Sequence, residues 1–317
     1  MFKYICKRIG YMALTLWIVV TATFFLMNSM PGDPVAVQYN KLPPEIRQVI
    51  REQYGLDKPV SQRYVSYLKN LSQGNMGDSF ITPGISANQY IKERFPNSLR
   101  IGLQAVFCGL TIGIILGIIA AFKRNTFVDY TVIFIAILGV SIPSFVMAAL
   151  LQKYIGGKGG LPIAGWYSPG DPFLSTVKFT ILPTLALSFS SVATYARYMK
   201  TSVLDVISQD YIITAQAKGV SKVAIAWKHI IRNAILPIIT ILGPQIAAVI
   251  TGSFVIERIF AIPGLGNAMI DFIANKDYNM IMGLTIFFSF LYIVALLIVD
   301  ILYTLIDPRI RLSGSKK

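Results

Sequence analysis

Few side chains in this sequence could do chemistry. Its 317 residues include one histidine, His229, and two cysteines, Cys6 and Cys108. A Ser–His hydrolase working inside a membrane needs its histidine within an apolar run, near a nucleophilic serine. His229 instead lies in a polar segment with Lys228 and Arg232, which suits a surface or interface residue. Cys6 sits in a basic N-terminal tip and Cys108 inside an apolar run. They show no metal-ligand spacing and no disulfide framework, so Cys108 reads as a small buried hydrophobe. Gly156-Gly157-Lys158-Gly159-Gly160 is glycine-rich but lacks the hydroxyl residue that follows the lysine of a phosphate-binding loop, and that motif occurs nowhere else. Three carboxylates lie in or beside apolar runs: Asp300, Asp129 and Glu257. An intramembrane carboxylate is a functional candidate by default. Asp300, however, stands only about two helical turns before Asp307, where a boundary or packing role fits equally well. The expectation is a chain with no catalytic residue, no metal site, no cofactor of its own and no nucleotide motor. The paucity of buried acid and histidine also points away from a proton-coupled carrier and toward an external energy source.

The most informative stretch is Asp210-Tyr211-Ile212-Ile213-Thr214-Ala215-Gln216-Ala217-Lys218-Gly219, followed by Lys222, Lys228 and Arg232 and closed by Leu236-Pro237. It is polar, helix-favouring and set between apolar runs. Its spacing predicts two short helices joined at Gly219. Asp205 and Asp210 lie near the positive start of the first and Lys218 at its negative end, with Gly219 as a left-handed C-cap. The second, from about Ser221, presents Val223, Ile225, Ala226 and Ile230 against Lys222, Lys228 and Arg232. Ala215 and Ala217 are small enough for another surface to approach closely. Docking of a soluble partner and packing of the loop on itself are both open on these residues alone.

The elements around this segment must cross a membrane. The chain is 54% hydrophobic and 14% charged, with a mean hydropathy of +0.60; soluble domains carry roughly 25% charged residues. Apolar runs of about 20 residues, the length needed to span a bilayer, occur at Ile9–Met30, Ser98–Phe122, Val128–Leu151, Thr176–Tyr195, Ile235–Ile256 and Met280–Thr304. The first follows Lys3, Lys7 and Arg8 but lacks a signal-peptidase site before Pro31-Gly32-Asp33-Pro34, so it reads as a retained span. The fourth is the weakest, diluted by Ser188, Ser190, Ser191 and Thr194 and interrupted by Pro183.

The formal net charge of +14 is explained by the positive-inside rule rather than by nucleic acid, because no basic cluster is interleaved with aromatics on a soluble domain. One side would hold Lys3, Lys7, Arg8, Lys123, Arg124, Arg197, Lys200, the basic residues from Lys218 to Arg232, and Arg309, Arg311, Lys316 and Lys317. The other short loops hold only Lys153, Lys158, Lys178, Arg258 and Lys276. Both termini are therefore expected in the cytoplasm. Residues 31–97 would form a small ordered extracellular subdomain, with helices from Pro44-Glu45 and around Tyr64, Leu68 and Leu71 separated by a turn at Gly55–Pro59. The expected division is 1–30 tip and first span, 31–97 outer subdomain, 98–304 five-span core with a cytosolic loop at about 198–234, and 305–317 tail. Helix breaks at Ser141, Pro143 and Ser144, and at Pro244 beside Gln245, are candidates for a translocation pathway or for packing kinks.

These motifs also carry a family resemblance. The block from Asp210 to Gly219 resembles the EAA loop of ABC importer permeases, which docks on the ATP-binding subunit. Ile213-Thr214-Ala215 occupies the E-A-A position and Leu236-Pro237 the closing Leu-Pro. The acidic first residue is missing and the stretch from Gly219 to Pro237 is longer than usual. Both departures resemble the oligopeptide/dipeptide/nickel branch, as does Arg232-Asn233-Ala234-Ile235-Leu236-Pro237. Further similar motifs are Pro31-Gly32-Asp33-Pro34, Tyr54-Gly55-Leu56-Asp57-Lys58-Pro59, Ser141-Ile142-Pro143-Ser144-Phe145, Thr251-Gly252-Ser253-Phe254-Val255-Ile256-Glu257, Phe260-Ala261-Ile262-Pro263-Gly264-Leu265-Gly266 and Asp307-Pro308-Arg309. Together they cover nearly the whole chain and are most like the B-type permeases of oligopeptide importers.

The resemblance implies an all-α membrane protein with six transmembrane helices of the type I ABC importer permease fold, in the cytoplasmic membrane of a prokaryote. It implies a second, homologous permease, two cytosolic ATPases that carry ATP and Mg, and an extracellular substrate-binding protein. Asp210, Tyr211, Thr214, Ala215, Ala217, Lys218 and Gly219 would contact the ATPase, and Ser141, Pro143, Ser144 and Gln245 would line the pathway. Oligopeptides are the expected cargo, with dipeptides or nickel and metallophore complexes as alternatives. A passive channel and an intramembrane enzyme are the readings from other classes.

Overall fold

The structure, a computed structural model, describes residues 2–30, 39, 41–250 and 254–306. The motifs Pro31-Gly32-Asp33-Pro34, Thr251-Gly252-Ser253 and Asp307-Pro308-Arg309 lie outside the described residues, as do the side chains of Pro244 and Asp300. The described chain is helical, with one isolated antiparallel bridge between Asp78 and Ser86. Its helices are α1 (Phe2–Ser29), α2 (Pro44–Gln53), α3 (Val60–Ser72), α4 (Ala87–Phe122), α5 (Phe127–Ser141), α6 (Ser144–Tyr154), α7 (Phe173–Ile207), α8 (Asp210–Ala217), α9 (Lys222–Ala224), a π-helical stretch Ile225–Ile231, α10 (Arg232–Ala234), α11 (Leu236–Ile250), α12 (Phe254–Ile259), α13 (Leu265–Asn275) and α14 (Tyr278–Ile306). Five described helices are long and apolar enough to cross a membrane, or six if the bent pair α5–α6 counts as one span.

Two compact units share the chain: Met1–Ser98 with Pro263–Ile293, and Leu99–Ile262 with Val294–Lys317. In the first, α2 begins with Pro44 in its first turn and Glu45 beside it, where a missing N–H costs nothing and a negative charge meets the helix dipole. Gly55, at φ +65°, closes α2, and the Leu56 N–H donates back to the Arg51 carbonyl at 2.8 Å. α3 lies against α1 through a Thr21–Tyr64 hydroxyl contact of 2.7 Å and stacks Tyr64 and Tyr67 on Phe24 at 5.3 and 5.5 Å.

A fully buried carboxylate, Asp277, organises the remainder of this unit. It accepts hydrogen bonds from the Ser79 hydroxyl at 2.5 Å and from the Phe80 and Met280 backbone N–H groups at 3.2 and 3.4 Å. Tyr54 donates to the Ser79 carbonyl at 2.8 Å and packs its ring on Phe80. Burial raises the Asp277 carboxyl above the ordinary carboxylate range, and these hydrogen bonds offset the rise only in part. Its protonated form is therefore relatively favoured in the folded chain. That contribution to stability is complete below the unfolded value of about 3.9 and is lost as pH rises through the folded value. Thermal melts in detergent should accordingly be higher near pH 4 than near pH 7.5, a pH difference that Asp277→Asn, which cannot titrate, should reduce.

In the second unit α7 is the central helix, packed against α5, α6 and α11, and several of its polar residues point to partners. Thr184 donates to Gln104 at 3.2 Å, Ser191 to Gln245 at 2.8 Å, and Ser188 approaches the Cys108 sulfur at 3.6 Å. The helix does not break at Pro183, which is buried within α7; neighbouring helices make such a proline tolerable at membrane depth. Asp205, expected at the start of the loop's first helix, lies near the C-terminal end of α7 instead.

Glycines let α4 approach this central helix. A Cβ on Gly109, Gly113 or Gly117 would stand 2.9, 2.6 or 2.6 Å from Ser191, Tyr195 or the Ala196 carbonyl, respectively. Gly139 of α5 makes the same kind of contact with Ala193. Without a hydrophobic drive between helices in lipid, such close backbone packing is what holds them together. α5 is further tied to α7 by an ion pair between Lys200 and the buried Asp129 at 2.5 Å. Asp129 also accepts the Asn125 N–H at 3.0 Å. Removing one partner strands the other charge. Lys200→Gln should therefore lower the melting temperature more than the double change Lys200→Gln with Asp129→Asn.

The third span, expected as one helix over Val128–Leu151, is two helices bent by 109°. Ile142 is extended, at φ −89° and ψ 117°, because the following proline ring disfavours the helical conformation there. Pro143 then leads into α6.

Candidate functional site

The segment between α7 and α11 is a small folded bracket. α8 starts with Asp210 at its positive end and ends in a Schellman cap. Gly219 takes φ +73°, its N–H donates to the Gln216 carbonyl at 2.9 Å, and the Val220 N–H donates to the Ala215 carbonyl at 3.2 Å. Two residues later Ser221 caps the next helix by accepting the Ala224 N–H at 3.3 Å.

The second half of the bracket is no loop. Helix runs from Lys222 into α11 with Ile235 alone outside the assigned helical stretches, so the fifth span, expected to begin at Ile235, has an N-terminal extension. The π-helical turn at Ile225–Ile231 sets which residues face inward. Its wider turn places Ile225 and Ile230, five residues apart, on one buried face continued by Ala234 and Ile238. Val223, expected on the apolar face, is exposed.

These inward residues form one core with Ile212 and Ala215 of α8 and Tyr195, Met199 and Val203 of α7. Asn233 adds a polar strap, donating to the Tyr211 hydroxyl at 3.2 Å and to the His229 carbonyl at 2.8 Å. α8 is thereby fastened to both long helices that flank it.

The expected contact residues divide accordingly. Ala215, 8% exposed, is spent on the protein's own core, which explains why a small residue is needed there. Asp210, Tyr211, Thr214, Ala217, Lys218 and Gly219 are exposed. Sequence reasoning missed the most conspicuous exposed side chain, Trp227, at 64%. With Ile213 and Val223 it gives the bracket three large exposed apolar groups beside Lys222 and Lys228. A tryptophan directly before Lys228 in a basic segment was the available signal. Of the other candidates, Ser141, Pro143 and Ser144 gather at the α5–α6 bend, with Ser141 and Pro143 exposed. Gln245 is bound instead to Ser191 of α7. His229 lends its backbone carbonyl to Asn233.

Such a bracket, an exposed short helix tied to membrane helices, can transmit displacement. Residues 113–312 match the family described as binding-protein-dependent transport system inner membrane component, and residues 1–99 match the corresponding N-terminal family. The chain belongs to this family of transport permeases. It is 40% identical over 313 residues to the dipeptide transport system permease protein DppB of Lactococcus lactis subsp. cremoris, covering 98% of this chain and 100% of that one. DppB of Bacillus subtilis is also 40% identical over 98% of this chain and 99% of its own. The oligopeptide transport system permease protein OppB of Escherichia coli K12 is 39% identical over 98% of this chain and all of its own. The permease is thus a multi-pass membrane subunit of an ABC importer, matched to its relatives from end to end.

Proposed function

We propose that this permease forms half of the translocation pathway of an ATP-driven peptide importer, beside a second homologous permease. Two cytosolic ATPases carrying ATP and Mg dock on the α8 bracket, and an extracellular binding protein delivers cargo on the side of α2 and α3. Both termini lie in the cytoplasm of a prokaryote. The observation that carries this reading is the bracket itself: an exposed helix, capped at Gly219, whose inner face is built into the same core as α7 and α11. A helix held this way moves only with the spans, so closure of the ATPases rocks the bundle between inward- and outward-facing states. Asp210, Tyr211, Thr214, Ala217 and Lys218 make the contact, joined by Trp227. The break at Ser141, Pro143 and Ser144 lines the pathway, where freed backbone groups can meet water, together with Gln245. The cargo is peptide, as the names of the DppB and OppB relatives suggest, with peptide length chosen by the binding protein.

Affinity purification of the chain from solubilised native membranes should bring down a second permease and two P-loop ATPases with vanadate-sensitive turnover. Trp227→Ala should reduce that turnover in the eluate and the yield of ATPase while leaving the permease pair intact. A chain that emerges alone, without nucleotide turnover, would overturn the docking assignment.

A further inference from the structure

A second feature of the permease involves no residue of α8. Between α5 and α7 runs a groove of about 350 Å³. Its walls are apolar, built by Val132, Ile133, Ala136 and Ile137 of α5 together with Leu204 of α7. One end is cationic. Arg197 and Lys200 line it, and Arg124 acts on the same carboxylate, Asp129, that pairs with Lys200. Three positive charges thus face one negative charge. Arg197 has no ion-pair partner among the described residues. Phe127 and Tyr130 in the first turn of α5, and Tyr198 next to Arg197 in sequence, are exposed aromatic side chains, of the kind that gather where a membrane meets water.

We infer that this groove seats an anionic phospholipid, its head-group phosphate on Arg197 and one acyl chain along Val132, Ile133 and Ile137. An apolar channel with a surplus of positive charge at head-group depth is complementary to such a lipid. Basic pockets between membrane helices bind anionic head groups in this manner. A guanidinium offers the phosphate two parallel N–H donors. A zwitterionic lipid fills the same channel without the net charge. Because the groove joins α5 to α7 beside the Asp129–Lys200 pair, an occupied groove stiffens that helix pair. The inference rests on the chain being membrane-embedded and is independent of its cargo and of the bracket's role.

The test is thermal unfolding of the delipidated full chain in detergent, with phosphatidylglycerol, phosphatidylcholine or inorganic phosphate added. Phosphatidylglycerol should raise the melting temperature well above the other two additions, and native mass spectrometry should retain it. Arg197→Gln should weaken the apparent affinity about fivefold, the scale of one basic residue at a membrane surface, while Arg197→Lys should keep most of it. Ile137→Trp, which fills the groove from an exposed position, should abolish the lipid-specific rise. Equal shifts from phosphatidylglycerol and phosphatidylcholine, or an unchanged response in Arg197→Gln, would overturn the inference. A full effect from inorganic phosphate alone would do the same. So would cross-linking of Ile137→Cys to another permease subunit in native membranes, since protein would then cover the groove.

Discussion

Gly219→Val should abolish uptake while the chain still inserts and accumulates in the membrane. The position has φ +73° and open space around the missing Cβ, so the penalty is conformational and not steric against a neighbour. An ordinary L-residue in the left-handed region costs about 1–2 kcal/mol, and a β-branched side chain costs more still. Either the Schellman cap opens or the chain after it swings out of register with Ser221. A conformational penalty of that size lowers the docked population about tenfold or more, and the bracket is the only described link between an exposed helix and the core of α7 and α11. Gly219→Asn, which tolerates the left-handed conformation, should retain most uptake. Peptide uptake in whole cells, with immunoblots of membrane fractions as the control for insertion, decides the matter. Normal uptake by Gly219→Val at normal abundance would remove α8 from the coupling role.

Gly113→Val should have an effect of the opposite kind, with little folded permease recovered at all. A Cβ at this position lies 2.6 Å from the Tyr195 Cβ and 2.9 Å from the Val192 carbonyl oxygen, and neither can rotate away. Helices α4 and α7 would have to separate, opening the contacts that Gly109 and Gly117 make on the same face. Overpacking alone costs about 1–3 kcal/mol, and here it also removes the close approach that drives helix association in lipid. Gly10→Val is the internal control, since nothing lies within 4 Å of the Cβ it would carry. Size-exclusion profiles and melting of the detergent-solubilised variants measure the difference. A Gly113→Val chain that melts like the unaltered permease would show that the α4–α7 contact does not limit stability.

How far the sequence reaches can be judged residue by residue. The cap at Gly219, the helix start at Pro44 and the turn at Gly55 were legible because each depends on its own backbone and its nearest neighbours. The inward face of the bracket was legible only in part: Ile225 and Ile230 are buried as expected, but Val223 is exposed, and nothing local announces the π-turn. Ala215 looked like a contact for a partner because it is small. The structure gives that smallness another purpose, since Ala215 packs in the core shared with Tyr195 and Met199. Trp227 went unnoticed because a lone exposed tryptophan has no periodicity to reveal it.

The sequence by itself determined the class: apolar runs of bilayer length, a basic bias between them, and motifs whose order places the chain among the importer permeases. Those properties follow from composition and from local backbone preference, which the bilayer reads directly. Only the tertiary structure decided which elements bear on one another. It made the least apolar run, α7, the central helix, because Ser188, Ser191 and Thr184 find partners there rather than lipid. It turned a single expected span into the bent pair at Pro143 and carried α8 onto the core of α7 and α11. Within the unit it shares with the first span, it joined Ser79 to Asp277 across most of the chain. Such pairings depend on shape and hydrogen bonding between residues far apart in sequence, and no window along the chain contains both partners.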